Sequence, residues 1–289
     1  MKRKAFIEYL LPLFGYFAVI ALLAIVFSIF GEGFLTFKHY SFVKFITGTV
    51  WRPTSSPPSL GSVPLLVSTF IVSAIAMVIS VPLGVSTALY ISKLANDTTK
   101  DILKPLVELL ASIPSVVYGF FGIVIVAPFV QKIFRLPIGQ TGFTAGIILA
   151  FMALPTIASI SEDAITAVSS DIEMASFGLG ASKLETLIHI VIPAALPGII
   201  TAISLGFGRA IGETMTVLMV AGGALGMPHS VFSPMRPITA TIAAEMGETP
   251  VGSLHYHALF ALAAELFILV AVFNIVAEYY HRKFSRFKE

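Results

Sequence analysis

Long stretches without a charged residue constrain this chain more than any other feature of its sequence. No residue between Glu8 and Glu32 carries a charge, and none between Arg52 and Lys93 does. A helix of about 20 mostly apolar residues can cross a hydrocarbon layer of roughly 30 Å. Overall, 56% of the residues are hydrophobic and only 12% are charged, against about 25% charged residues in a soluble chain. This excludes an ordinary soluble enzyme and a disordered chain, and it predicts a polytopic membrane protein.

Six such stretches predict about six membrane-spanning helices and therefore an all-α membrane helix bundle. The second is expected to begin at Val63, because prolines and serines precede it. The fifth is long enough to be either one tilted helix or a helix followed by a re-entrant piece. The predicted spans lie near Leu10–Phe30, Val63–Ile91, Leu106–Val130, Gly142–Ile160, Pro193–Gly223 and His257–Ala277.

The distribution of lysine and arginine between the loops predicts the orientation. With six spans, eleven of these residues lie on the side of both termini and six on the other side. Cytoplasmic loops carry the excess of positive charge. We therefore expect a multi-pass protein of the cytoplasmic (inner) cell membrane with both termini in the cytoplasm. Residues 1–62 are expected to hold the first span and a periplasmic segment, and residues 281–289 a basic cytoplasmic tail.

The N-terminus also looks like a secretory signal, because Lys2, Arg3 and Lys4 precede an apolar run. No small-residue cleavage site follows Phe30, and five further spans come after it. We therefore expect an uncleaved first helix.

The longest predicted cytoplasmic connection joins the fourth and fifth spans. It covers residues 161–192, whereas helix–helix connections usually run about 2–8 residues. Its sequence predicts a short helix, a turn at Gly178 and Gly180, and a second helix that enters the membrane at Pro193. The pattern favours a docking surface, and a simple connector is the alternative.

Several motifs resemble one family of transport proteins. Glu173-Met174-Ala175, then Gly180-Ala181, then Ile190-Val191-Ile192-Pro193 look like the EAA loop of ABC-importer permeases. Two further motifs resemble the phosphate-importer permease of the PstC type: Ile113-Pro114-Ser115-Val116-Val117-Tyr118-Gly119 and Gly208-Arg209-Ala210-Ile211-Gly212-Glu213-Thr214. The PstA-type permease shares the core of the second motif. The residues around Trp51 and after Glu213 look more like the PstC type.

This resemblance implies a type I ABC importer permease fold with its transmembrane domain at residues 63–280. It implies a transporter that carries inorganic phosphate and contains a second permease of the PstA type, a dimeric ATPase of the PstB type and a phosphate-binding protein of the PstS type. ATP and Mg would be used by the partner ATPase. The 161–192 loop would be the coupling loop that sits in a cleft of the ATPase, with the motif residues Glu173, Ala175, Gly180, Ala181, Ile190 and Pro193.

The sequence itself contains no ATP-binding loop. The phosphate-cradling pattern Gly-x-x-x-x-Gly-Lys-Ser/Thr does not occur. A net charge of +2 gives no reason to expect nucleic acid as a partner, and cysteine is absent. We expect a transport subunit that is not an enzyme and binds no cofactor of its own.

Arg209 and Glu213 are the most informative charged residues inside a span. Four residues apart on one helix, they would share a face and could pair. Ionised residues inside a membrane normally face a protein interior or an aqueous path. We therefore predict that they form a gate or a point on the substrate pathway, since arginine donates to two oxygens of an anion. The alternative is an ion pair that only fixes helix packing. Gly206, Gly208 and Gly212 are expected to let another helix approach closely.

Other polar residues support weaker predictions. Glu108 follows Lys104 by four residues and is a secondary candidate, either as its interfacial partner or as a functional carboxylate. Glu265 lies inside the sixth span and is expected to face the bundle or a partner permease. His255 and His257, two residues apart, would diverge on a helix, so no metal site is expected.

Three other functions stay open at this point. One is a permease for another oxyanion such as molybdate, which composition does not separate from phosphate. A second is a channel or secondary carrier without an ATPase, against which the long 161–192 segment argues. The third is a membrane-embedded enzyme acting on lipid phosphates. It would need clustered acid–base residues at one interface, whereas the six histidines are scattered.

Overall fold

The computed structural model describes residues 2–285, with side chains for residues 12–283. It contains six helices long and apolar enough to cross a membrane, which confirms the predicted all-α bundle: Pro12–Lys38, Val63–Leu94, Ser115–Phe134, Gly142–Thr166, Lys183–Gly212 and Leu254–Lys283. Residues 286–289 of the predicted tail, and the side chains of Lys2, Arg3 and Lys4, lie outside the described residues.

Most helices and strands follow one another with short connections, and a long one joins the helix Met215–Val220 to the helix Ile238–Glu245. The α-helices are α1 Lys2–Leu35, α2 Phe42–Thr47, α3 Val63–Leu89, α4 Asp97–Ser112, α5 Ser115–Phe121, α6 Ala127–Phe134, α7 Gly142–Thr166, α8 Ser170–Gly178, α9 Lys183–Thr186, α10 Ile192–Gly212, α11 Met215–Val220, α12 Ile238–Glu245 and α13 Leu254–Ser285. Short 3-10 turns occur at Thr36–Lys38 and Met246–Glu248, and π-helical turns at Tyr90–Leu94, Gly122–Val126 and Leu187–Val191. A small antiparallel hairpin, β1 Trp51–Arg52 and β2 Ser59–Leu60, pairs Trp51 with Leu60.

Helix α7 lies at the centre of the bundle and packs against α3 and α10. Glycine makes this packing close, since Gly84 of α3 and Gly206 of α10 both lie against Ile157 of α7. A Cβ added at these glycines would stand 2.8 Å and 2.5 Å from side-chain atoms of Ile157. Small residues at helix crossings are typical of membrane bundles.

Gly208 and Gly212 do not share this packing role. A Cβ added at either position would have no other atom within 4 Å. The prediction that all three glycines admit a neighbouring helix therefore holds within the chain for Gly206 only.

The bundle has two distinct ends, joined by α3. The hairpin end contains the β1–β2 hairpin, where Phe45, Trp51, Leu60 and Leu259 are fully buried together. The α8 end contains α8 and the start of the fifth span. There Leu187, Val191, Ala195 and Ile199 recur every four residues and share a buried core with Ile165 of α7.

The predicted start of the third span is wrong. Helix α4 ends at Ser112, and Ile113 is extended (φ −66°, ψ 127°). A proline disfavours the helical conformation of the residue before it, and Pro114 follows Ile113. The span therefore begins at Ser115, and Leu106–Ser112 belong to α4, a separate helix with no buried residue.

The predicted start of the fifth span is also wrong, because Pro193 does not open it. Helix α9, the π-helical turn and α10 run without interruption from Lys183 to Gly212, so Pro193 lies within the span. A π-helical turn directly before Pro193 accommodates the missing N–H. Beyond Gly212 the chain forms the separate helix α11, which packs against α5. Of the two alternatives for this stretch, a helix followed by a second piece is the one observed.

Candidate functional site

Arg209 lies in the last turn of α10, half-buried among neutral hydrogen-bond acceptors. Its Nη1 donates to Oγ1 of Thr156 on α7 at 3.3 Å, and its Nη2 donates to the carbonyl of Ala111 at a long 3.5 Å. The Ala111 carbonyl belongs to the last turn of α4, where the helix dipole places partial negative charge. Among the described residues, no carboxylate forms an ion pair with Arg209. Its guanidinium has five N–H donors, so donors are left for an anion.

Glu213 does not pair with Arg209, which corrects the prediction from their spacing. Helix α10 ends at Gly212, and Glu213 has extended backbone (φ −68°, ψ 130°). The four-residue rule holds only within a continuous helix. The Glu213 carboxylate instead accepts from the N–H of Thr216 in the first turn of α11 at 3.1 Å. Glu213 therefore stabilises the start of α11.

Two helix breaks meet beside Arg209. One lies between α4 and α5 and the other between α10 and α11. The hydroxyl of Thr216 donates to the carbonyl of Ser115 at 2.9 Å and so joins them. Tyr118 donates to the carbonyl of Leu110 at 2.9 Å. Broken helices within a membrane are tolerated where protein or a water-filled path covers the freed backbone groups, and here side-chain donors bind the freed carbonyls of Leu110, Ala111 and Ser115.

The predicted coupling segment forms α8, a turn and α9. Gly180 has a positive φ of 90°, a conformation that glycine adopts without strain. The turn is closed by a hydrogen bond of 2.9 Å between the hydroxyls of Ser176 and Thr186. A capping box of Ser182 and Glu185 starts α9. The turn between the two helices is therefore built by specific contacts, as a docking element would need.

The predicted coupling residues do not share one face of this segment. Glu173 forms an ion pair with Lys93 at the end of the second span. Ala175 is exposed on α8 and Ala181 is half-buried in the turn. Ile190 lies in the π-helical turn, and Pro193 is exposed on α10.

Apolar side chains around the turn are exposed at the α8 end. Met174 is 63% exposed, Leu179 90% and Leu184 66%. Clustered exposed apolar side chains indicate a surface that another molecule covers. Among these, Met174 and Leu179 stand next to motif residues.

Lys104 takes part in a different pair from the one that its spacing predicts. Glu108 is exposed, and Lys104 donates to Oε2 of Glu162 on α7 at 2.5 Å and to Oδ1 of Asp163 at 3.5 Å. Only 3% of the Glu162 side chain is exposed. The hydrogen bond to Glu162 raises the pKa of the Lys104 ammonium, while burial works in the opposite direction. Lysine is charged at neutral pH, and the raised pKa extends the charged range of Lys104 to more alkaline pH, where its part of the pair is lost only as the pH rises through the raised pKa.

Glu162, the buried partner of Lys104, was not singled out from the sequence. Its position four residues before Thr166 was the available signal, since Thr166 donates to its Oε1 at 3.0 Å. Thr156, which follows Pro155 inside a span, was missed as well.

Glu245 organises a polar cluster at the hairpin end. Its Oε2 accepts from Trp51 Nε1 at 3.0 Å and lies 2.8 Å from His255 Nε2, while its Oε1 accepts from Arg236 at 3.0 Å. The cluster explains why Trp51 can be fully buried, since its N–H has a partner. His257 lies instead beside Glu32, with 2.9 Å between Nδ1 and Oε2. No group of three or more candidate metal ligands occurs in the part of the chain that the structure describes.

Glu245→Ala should destabilise the hairpin end. The change leaves Trp51 and Arg236 without their common acceptor; because the Glu245–Arg236 pair is only part-buried, the cost should be below the about 3–5 kcal/mol of breaking a fully buried pair. We expect a clearly lower melting temperature of the detergent-solubilised protein in a thermal scan. Glu245→Gln is the control: it keeps an acceptor oxygen and should lose less. Equal melting temperatures for Glu245→Ala and the unmodified chain would show that the cluster is not structural.

Glu265 lies in the bundle near the hairpin end. Ser62 donates to its Oε1 at 3.0 Å, and Glu265 lines an apolar cavity of about 270 Å³ with phenylalanines of the first span and of the segment after it. Its predicted position facing the bundle agrees with these contacts.

Comparison with known proteins adds family information to this geometry. The family described as binding-protein-dependent transport system inner membrane component matches residues 80–286. The phosphate transport system permease protein PstC of Pasteurella multocida is 32% identical over 90% of this chain and 85% of its own length. The probable ABC transporter permease protein YqgH of Bacillus subtilis is 35% identical over 82% of this chain and 77% of its own length.

Solved structures share the architecture. A chain of a bacterial alginate ABC transporter, in complex with an alginate-bound periplasmic protein, has a TM-score of 0.64 at 14% identity and covers 96% of this chain and 95% of its own length. A chain of the MetNI methionine ABC transporter has a TM-score of 0.57 at 23% identity, over 78% of this chain and 94% of its own. At these identities the similarity concerns the fold alone.

Proposed function

The chain belongs to the family of binding-protein-dependent transport system inner membrane components, and on this basis we propose that it is the permease subunit of an ATP-driven importer of inorganic phosphate. It is a multi-pass inner-membrane protein with a type I ABC importer permease fold. The substrate is inferred from relatives named as phosphate permeases together with the chemistry around Arg209.

Arg209 is the observation that carries the substrate proposal. Its guanidinium pairs with no carboxylate in the part of the chain that the structure describes and is held by a hydroxyl and a carbonyl, so it can bind an oxyanion through its remaining donors. It stands where two broken helices meet. Glu213 would repel phosphate, and its carboxylate is engaged by the backbone of α11. We therefore assign Arg209 to the substrate pathway and give Glu213 the role of supporting the local backbone.

The α8 segment is the proposed contact to the ATPase. The exposed side chains of Met174, Leu179 and Leu184 would be covered by that partner. The Lys and Arg count supports a cytoplasmic α8 end, and with it cytoplasmic termini. The complete transporter would then contain a second permease of the PstA type, a dimeric ATPase of the PstB type that uses ATP and Mg, and a phosphate-binding protein of the PstS type at the hairpin end.

Reconstitution tests this proposal. Proteoliposomes that contain this chain, a second permease and the ATPase should accumulate labelled phosphate only with ATP and the binding protein. Molybdate offered in the same way should not be accumulated. The purified chain alone should hydrolyse no ATP, because it has no phosphate-cradling loop. ATP hydrolysis by the isolated chain, or uptake of molybdate in preference to phosphate, would contradict the proposal.

A further inference from the structure

A chain of polar contacts connects α8 with Arg209. At the α8 end, Glu173 pairs with Lys93, and the adjacent Ser92 lies 2.9 Å from Thr166 of α7, oxygen to oxygen. One turn further into α7, Glu162 pairs with Lys104 of α4. The last turn of α4 then meets Arg209 through the carbonyl of Ala111. The contacts thus lead from the π-helical turn Tyr90–Leu94 through α7 to α4.

The donor and the acceptor can be assigned for each hydroxyl in this series of contacts. A hydroxyl has a single hydrogen to donate. Thr166 uses its hydrogen for Glu162 Oε1 at 3.0 Å, so the hydroxyl of Ser92 donates to Thr166. Lys104 donates to the other oxygen of Glu162 at 2.5 Å. The buried Glu162 carboxylate therefore accepts from Lys104 and from Thr166, and Ser92 is linked to it through Thr166.

Helix α4 is held to the bundle by few contacts besides these. None of its residues is buried, and its apolar side chains Ile102, Leu106 and Leu109 are at least half exposed. Elements with little buried apolar surface move at low cost. The Lys104 pair fastens the middle of α4, and the donors from Tyr118 and Arg209 fasten its end. A shift of α7 or α8 would therefore reach Arg209 through α4, in addition to the direct contact of Arg209 with Thr156 of α7.

We propose that Lys104 and Glu162 are positioning residues that transmit a displacement of α8 to Arg209 by way of helix α4. The inference rests on the proposed function, in which α8 contacts the ATPase and Arg209 lies on the phosphate pathway. It goes beyond that function by naming the pair that links the two sites.

Lys104→Met in the complete reconstituted transporter is the direct test. The variant should keep most of its ATP hydrolysis, while the phosphate taken up per ATP falls about tenfold, within the range of about 5–150-fold typical of coupling between sites. Lys104→Arg keeps the charge and the donors and should restore coupling. Asp101→Asn, an exposed change on the same helix, is the matched control and should transport normally.

A labelling measurement separates transmission from a merely structural role. The chain has no cysteine, so a single cysteine at the exposed position Leu109 reports on α4 alone. Its reaction rate with a thiol reagent should differ between the nucleotide-free and the ATP-bound transporter. Lys104→Met should abolish that difference, and Lys104→Arg should preserve it. If Lys104→Met does not assemble, Glu162→Gln, which removes the charge and keeps only one acceptor oxygen, should give the same two results.

The outcomes that overturn the inference leave the proposed function standing. Normal phosphate uptake per ATP in Lys104→Met or Glu162→Gln would show that the pair does not transmit. Parallel loss of uptake and ATP hydrolysis, with the labelling difference intact, would make the pair structural only. Failure of the unmodified transporter to take up phosphate would instead defeat the proposed function.

Discussion

Arg209→Gln should abolish phosphate uptake by the reconstituted transporter while the complex still assembles. Glutamine keeps a donor for Thr156 but loses the charge and most of the donors that would hold an oxyanion. Hydrogen bonds to a charged group contribute about 1.5–3 kcal/mol each. Loss of two such bonds therefore corresponds to a decrease of roughly a hundredfold or more, since about 1.4 kcal/mol is tenfold. Uptake of labelled phosphate at saturating ATP is the measurement.

Two further variants separate a pathway role from a packing role. Arg209→Lys keeps the charge without the planar fork, so a residue on the pathway should retain part of the uptake with a higher KM for delivery by the phosphate-loaded binding protein. If Arg209 only fixes helix packing, Arg209→Lys should be as defective as Arg209→Gln, because a lysine cannot reach both Thr156 and the carbonyl of Ala111.

Glu213→Gln is the control for this series. It keeps the acceptor oxygen for the N–H of Thr216 and should retain most of the uptake. Normal uptake by Arg209→Gln would remove Arg209 from the pathway.

Gly180→Pro should release the ATPase from the transporter. Gly180 has φ +90°, and the proline ring fixes φ near about −65°. Proline also removes the N–H that donates to the carbonyl of Phe177 at 2.9 Å. The turn between α8 and α9 therefore cannot form, and the exposed apolar side chains around it lose their arrangement. We expect normal membrane insertion, loss of the co-purifying ATPase and no ATP-dependent uptake.

Two neighbouring substitutions make this test specific. Gly178→Ala is the matched control, because a Cβ there meets nothing within 4 Å and the φ of Gly178 is not positive. It should assemble and transport as the unmodified chain does. At Gly180 an added Cβ also meets nothing within 4 Å, but the positive φ would strain an alanine. Assembly and transport of Gly180→Ala should therefore fall between those of Gly178→Ala and Gly180→Pro, since a left-handed conformation costs a non-glycine residue about 1–2 kcal/mol. Full assembly and transport by Gly180→Pro would reduce the segment to a connector.

The sequence alone anticipated the family and the number of spans. Charge-free apolar runs of this length are long enough for helices that cross a membrane, and a helix satisfies its own backbone hydrogen bonds in lipid. The motif around Gly180 also located the turn, because its glycines interrupt the helix formers on both sides. The ends of the spans were less accurate. Pro114 ended α4 where apolar residues continued, and Pro193 did not begin a helix.

The contacts of the candidate site could not be derived in the same way. The spacing of Arg209 and Glu213 predicted a pair, yet the helix ends at Gly212 between them. The partners of Arg209 lie 53 and 98 positions away along the chain. Lys104 likewise pairs with Glu162 of another helix and not with Glu108, which is four residues away.

Hydropathy and local motifs are properties of neighbouring residues, so the sequence by itself determined that this chain forms a six-span helix bundle with an exposed segment after the fourth span. Only the tertiary structure decided which charges meet, because side chains from different helices come together through the close packing of α3, α7 and α10 at Gly84, Ile157 and Gly206. Helix α4 packs against α7, with its end beside Arg209 and its middle beside Glu162. Among the described residues no carboxylate pairs with Arg209, and this arrangement is the basis of the proposed role of Arg209 on an anion pathway.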